Sequence, residues 1–220
     1  MTPTTPRGET RVTGRRPYAP RMPADQRREQ LLEAALDIAL ERGFHAVTVD
    51  AVARACEVTR PVVYGVFADR TALLTGLADR AEARSLEQLA PVFPALPGPD
   101  DDVDPDELLV QGVTAYLSAV AADPRTWRVV LLPPEGAPPE LTARVDQHRR
   151  VLLRQLRALL DWGLARRGGP DLDPDLFARA VFTLAEGAAR LVLADPGRWQ
   201  VGAFADFART AMAAMGPGRR

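Results

Sequence analysis

Apolar residues recur with helical spacing through most of the chain, and no stretch of its second half alternates with the period of two that a half-buried strand requires. The first run puts Leu31, Leu32, Ala35, Ile38 and Ala39 on one face of a helix from Asp25 to Arg42, and Gly43 follows as its stop. Two short runs come next. Thr48 stands directly before one at Val49 to Ala55, and Thr59 before another at Arg60 to about Val66. Each threonine is a candidate N-cap whose hydroxyl accepts from an unpaired backbone N–H. Val49, Val52 and Ala53 face inward on the first, and Cys56, Glu57 and Val58 make the turn between them. Asp69 then caps a helix to about Leu89 with Leu73, Leu74 and Leu77 inside.

Pro91 to Asp104 combines four prolines with an acidic run and reads as a solvated linker. Beyond it, the Asp-Pro pairs Asp104-Pro105, Asp123-Pro124, Asp173-Pro174 and Asp195-Pro196 each place a capping carboxylate before a proline at the first helical position. They predict helices at about 105–122, 124–132, 174–194 and 196–215, and Pro139 opens a fifth to about Arg167. The fold class is therefore all-α. The expected divisions are an Arg-rich disordered arm at 1–22, a three-helix domain at 23–70 and a helical body at 71–220.

Two helices joined by so tight a turn form a helix-turn-helix. Pro61 suits the first turn of the second helix, where its missing N–H has no partner to lose. Val63 and Phe67 share its inner side, leaving Arg60, Val62 and Tyr64 to face a DNA groove. From Arg28 to Leu74 the chain resembles the N-terminal domain of the tetracycline-repressor (TetR) family of transcription factors. The match rests on Arg42-Gly43-Phe44, Thr48, Val63-Tyr64, Phe67, Asp69-Arg70 and Leu73-Leu74 in that order. It departs from the family pattern at Glu57, where a small residue or glycine is usual, and at Gly65 and Val66, where polar or basic residues are usual. The resemblance implies a DNA-binding head at 23–70 joined to a body that holds a ligand and a dimer interface. Thr48, Thr59, Arg60, Pro61, Val62, Tyr64 and Arg70 are the expected DNA-contacting residues. Arg70 lies in the first turn of its helix, where a phosphate meets both the side chain and the helix N-terminus.

The 28 basic residues, all arginine, nearly balance 29 acidic ones, so no global basic field advertises nucleic acid. The positive charge is local. Arg7, Arg11, Arg15, Arg16 and Arg21 stand against Glu9 alone in the first 24 residues; the arm is either a solvated tail or a clamp whose Arg15 and Arg16 follow the phosphates. Cys56, the one cysteine, excludes an internal disulfide framework and reads as a packing residue, with a redox thiol as the alternative. No apolar run reaches the length of a membrane span, and the N-terminus lacks an apolar signal core, so a cytoplasmic location without membrane partners is expected. Metal-ligand clusters, Gly-rich phosphate loops and nucleophile elbows are missing, so neither metal nor cofactor is expected and catalysis has no candidate residues. Glu186 with Arg179 or Arg190 reads as a helix-surface ion pair.

Tyr116 and His148 fall on inner helix faces, Trp127 follows on the short helix before the Pro-rich turn, and the three are candidates for lining a mostly apolar cavity; ordinary core packing is the competing reading. The last two helices are apolar on more than one stripe, which calls for a second burying surface. A homodimer through Leu184, Ala188, Leu191, Phe204, Phe207, Ala208 and Ala211 supplies it, as the family's four-helix bundle does; a thick monomer core is the alternative. Together these features describe a homodimeric regulator of a near-palindromic double-stranded operator, released as a repressor by an unidentified small hydrophobic effector. A DNA-binding regulator without such a ligand, or one under a protein partner's control, is the second reading, and a helical enzyme the remote third.

Overall fold

The computed structural model describes residues 22–92, 102–133, 136–137, 139–167 and 172–215. The arm, Arg15 and Arg16 included, and most of the Pro-rich linker lie outside them. Among the described residues there are nine α-helices and no strand: α1 (Ala24–Arg42), α2 (Val49–Ala55), α3 (Arg60–Tyr64), α4 (Arg70–Leu89), α5 (Pro105–Ala122), α6 (Pro124–Leu131), α7 (Pro139–Arg167), α8 (Pro174–Ala194) and α9 (Val201–Ala214).

Local chemistry accounts for most of the helix starts. The Thr48 hydroxyl accepts from the Ala51 N–H at 3.1 Å, and an Asp69 carboxylate oxygen from Ala72 at 2.7 Å. Asp104, Asp123 and Asp173 accept from backbone N–H groups of α5, α6 and α8, each with proline as the first helical residue. Two expected starts behave otherwise. Thr59 occupies the N-cap of α3, but its side chain makes no capping hydrogen bond. Asp195-Pro196 opens a turn rather than a helix: the Asp195 carbonyl accepts from Arg198 and Trp199, the Trp199 ring stacks on Phe204, and α9 begins only at Val201.

One core fills the space between α1, α2, α3 and the first half of α4. Leu31, Ala35, Phe44, Val52, Val63 and Phe67 are buried there with Leu73 and Leu77. A boundary at residue 70 therefore falls at the start of a helix whose first turns belong to this head. Gly76 permits the approach, since a Cβ there would lie 2.9 Å from the Phe67 ring. Val129 of α6 and Leu141 of α7 reach into the same core from the body. Two further clusters hold the body together, one around Leu117, Trp127 and Ala189, the other around Leu109, Leu156, Leu160 and Ala178. Both α8 and α9 pack on α5.

A polar seam joins the halves. Arg80 of α4, almost wholly buried, donates to Glu29 at 2.7 Å and pairs with Glu33, both on α1. Arg125 of α6 grips Glu33 and Asp37 on that same helix. Burial alone would raise the Glu33 carboxyl, but Arg80 and Arg125 together hold it below the ordinary carboxylate range.

Candidate nucleic-acid interface and ligand cavity

The turn between α2 and α3 is closed by two backbone bonds, from Val58 N–H to the Ala53 carbonyl at 2.9 Å and from Glu57 N–H to Arg54 at 3.2 Å. This double closure requires a left-handed residue at its centre, and Glu57 adopts φ 54°. The position where the family favours glycine is thus one that needs glycine's freedom. Helix α3 ends at Tyr64, two residues before the expected Val66, while Val63 and Phe67 are buried and hold it against the head. Arg60, Pro61, Val62 and Tyr64 face solvent, Tyr64 with 53% of its surface free.

Two of the expected contact residues are already engaged. Arg60 forms an ion pair with Asp50 on α2, an acidic partner ten residues upstream that sequence reasoning passed over although it sits in that helix's first turn. Arg70 donates from Nε to the Val47 carbonyl at 2.7 Å and from Nη2 to that of Phe44 at 2.8 Å, so its first task is to fasten the loop before Thr48. Cys56 is half-buried with its thiol 3.6 Å from the Gln30 carbonyl, and burial pushes the thiol up from its ordinary value.

In the body, Tyr116, Trp127 and His148 lie on the wall of one cavity of about 110 Å³, between α4, α5, α6, α7 and α8. The Tyr116 ring meets Trp127 edge-on with centroids 5.6 Å apart. The indole N–H of Trp127 donates to Gln88 at 2.7 Å, so this residue offers the cavity its ring alone. His148 Nε2 lies 3.4 Å from a Glu82 carboxylate oxygen. Glu186, expected on a helix surface, is instead largely enclosed: it accepts from Arg149 of α7 at 2.7 Å and pairs with Arg190 at 3.3 Å, because α7 covers that side of α8. Burial, then the negative charge of Glu186, pushes the Tyr116 hydroxyl far above its ordinary value.

The residues named for a dimer interface divide. Leu184 of α8 and Phe207 of α9 are 70% and 69% exposed, and Leu191, seven residues after Leu184 on α8, is also exposed. Ala188 turns inward into the core around Trp127, and Phe204 packs half-buried against that core, so neither belongs to the outer stripe. Ala208 and Ala211 are intermediate.

A family model described as bacterial regulatory proteins of the tetR family matches residues 31–77, from the middle of α1 to the first half of α4. A TetR-like transcriptional regulator from Rhodococcus sp. RHA1 shares the architecture beyond that segment, with a TM-score of 0.70 and 26% identity over 89% of this chain and 100% of its own. Residues 31–77 thus match the TetR family. Among curated relatives, the HTH-type transcriptional activator FasR of Mycolicibacterium smegmatis is 38% identical over 74 residues, covering 34% of each chain. The regulator AlkX of Mycobacterium tuberculosis is 31% identical over 97 residues, 44% of each. These matches span less than half the length of both relatives. FadR of Bacillus subtilis, solved in complex with stearoyl-CoA, shares the fold at a TM-score of 0.62 and 17% identity, over 85% of this chain and 98% of its own. No described helix is long and apolar enough to cross a membrane.

Proposed function

We propose that this chain is a TetR-family DNA-binding transcriptional regulator that acts in the cytoplasm as a homodimer and leaves its operator when a small hydrophobic effector fills the body cavity. The observation that carries the DNA reading is the exposed Arg60, Val62 and Tyr64 face of α3, held by the buried Val63 and Phe67 against a packed head. Short helices so anchored present their N-terminal residues to base edges in a major groove. The exposed Leu184 and Leu191, seven apart on α8, and the exposed Phe207 on α9 support dimerisation, which would cover them. Arg15 and Arg16 of the arm supply phosphate contacts that Gly65 and Val66 do not.

Release follows from the way α4 and α6 serve both halves. Helix α4 carries Leu73 in the head core and Leu86 and Leu89 on the cavity wall, and α6 carries Val129 in the head and Trp127 on that wall. An occupant that favours one setting of these helices biases the head. A hundredfold loss of operator affinity needs about 2.7 kcal/mol of coupling, and DNA then weakens effector binding by the same factor. The test of the interface is substitution. Tyr64→Ala should weaken binding evenly across sequences, whereas Arg60→Ala should cost roughly 1–3 kcal/mol at a single base pair. A folded double variant with unchanged affinity removes α3 as the reading helix.

A further inference from the structure

The cavity wall is apolar except for a few groups, and their pairing restricts what can enter. Leu86, Leu89, Leu109, Val113, Leu152 and Leu156 supply much of its surface. Two arginines stand on the wall, and carboxylates hold both. Arg144 pairs with Asp79 and Glu82, and Arg149 with Glu186 and Asp146. The second oxygen of Glu186 is met by Arg190, and His148 faces Glu82. Four carboxylates thus surround three guanidinium groups, and no cation is left over for an incoming anion. A ligand carboxylate would have to draw an arginine from its partner and leave a half-enclosed glutamate one guanidinium short, with only Arg190 beside Glu186 or only His148 beside Glu82, which low-polarity surroundings penalise.

One polar group on the wall is differently placed. The Tyr116 hydroxyl is engaged by no hydrogen bond among those of the described residues, while its ring is fixed against Trp127. Its raised pKa keeps the proton on the oxygen, so Tyr116 offers the cavity a neutral donor. A donor of this kind in an apolar chamber suits a carbonyl oxygen that carries no net charge.

Resting on the effector reading above, we propose that the cavity takes a long apolar chain with an uncharged carbonyl, an esterified acyl group, which Tyr116 holds by donating a hydrogen bond. The same chain as a free acid anion is turned away by the closed ion pairs of the wall. Calorimetric titration of the full-length chain at pH 8, below the micellar range, with methyl decanoate and with decanoate tests this directly. The ester should bind at least tenfold more tightly than the anion. Tyr116→Phe should lower ester affinity three- to tenfold while leaving the melting temperature of the free protein nearly unchanged, and Val113→Phe, which narrows the chamber, should lower it further. Decanoate binding as tightly as its ester, or Tyr116→Phe binding the ester like the wild type, overturns the proposal and leaves an apolar effector standing. If neither probe binds the folded protein, the proposal and the effector reading fall together.

Discussion

Glu57 gives the sharpest stability prediction, because its backbone conformation and its side chain can be separated. At φ 54° it occupies the left-handed region at the close of α2, and its side chain makes no hydrogen bond or ion pair among the described interactions. An L-residue costs about 1–2 kcal/mol there, whereas glycine has no Cβ to meet the following carbonyl. Glycine gives back a few tenths of a kcal/mol or more through its freer unfolded chain. The net expectation for Glu57→Gly is about 1 kcal/mol of added stability, equivalent to roughly 2–4 °C in melting temperature for a chain of this size. Glu57→Ala keeps the Cβ and should change stability little, and Glu57→Asn should fall between the two, since asparagine tolerates this region better than most residues. Chemical denaturation of the four proteins, read by circular dichroism, supplies the ladder. If alanine stabilises as much as glycine, the gain comes from removing the carboxylate, and the strain assigned to Glu57 is wrong.

Arg80→Met should destabilise by about 1–3 kcal/mol, less than for a fully buried pair because Glu29 and Glu33 keep part of their surface in water. Glu33, held low in the folded state, contributes stability that is present above its ordinary value of 4.5 and is lost as pH falls through the depressed one. Acid titration of the unfolding free energy should therefore fall less steeply below pH 4.5 in Arg80→Met than in the wild type; parallel curves would contradict the assignment. Asp50→Asn should barely alter stability, as expected for an exposed pair. It should nevertheless steepen the salt dependence of DNA binding by about one while reducing discrimination at the base pair Arg60 reads, so an unchanged specificity ratio would refute its orienting role. Leu184→Glu combined with Phe207→Glu should raise the dimer dissociation constant at least about a hundredfold, given roughly 1.5–3 kcal/mol for each buried side chain. Sedimentation equilibrium that finds the dimer intact would place the interface elsewhere.

What the sequence revealed about the fold was local. The caps at Thr48, Asp69, Asp104, Asp123 and Asp173 involve partners two or three residues away, so reading along the chain finds them. Asp195-Pro196 carries the same signal and its carboxylate accepts from Arg198 at 3.1 Å, yet only a turn forms before α9 begins at Val201, an outcome that no local rule contains. Periodicity places Tyr116 and His148 on inner faces, and the structure brings them to one cavity with Trp127. It did not reveal the enclosure of Glu186, whose strongest partner Arg149 lies 37 residues earlier on another helix. Ala188, expected at the dimer interface, is buried instead: α8 is apolar on more than one stripe, and small residues on adjoining stripes look alike until their neighbours are known. The engagement of Arg70 with the carbonyls of Phe44 and Val47 was equally out of reach, since backbone acceptors leave no trace in residue identity.

Reading of DNA by α3 as one of a symmetry-related pair is tested most directly by enrichment of a random duplex library by the full-length chain, with the mass of the complex measured on the recovered site. The expected outcome is a near-palindrome with half-sites about 34–36 Å apart, or a multiple of that, occupied by paired chains and lost when Arg60 and Tyr64 are both replaced by alanine. A folded, dimeric protein that enriches no sequence above background would contradict it.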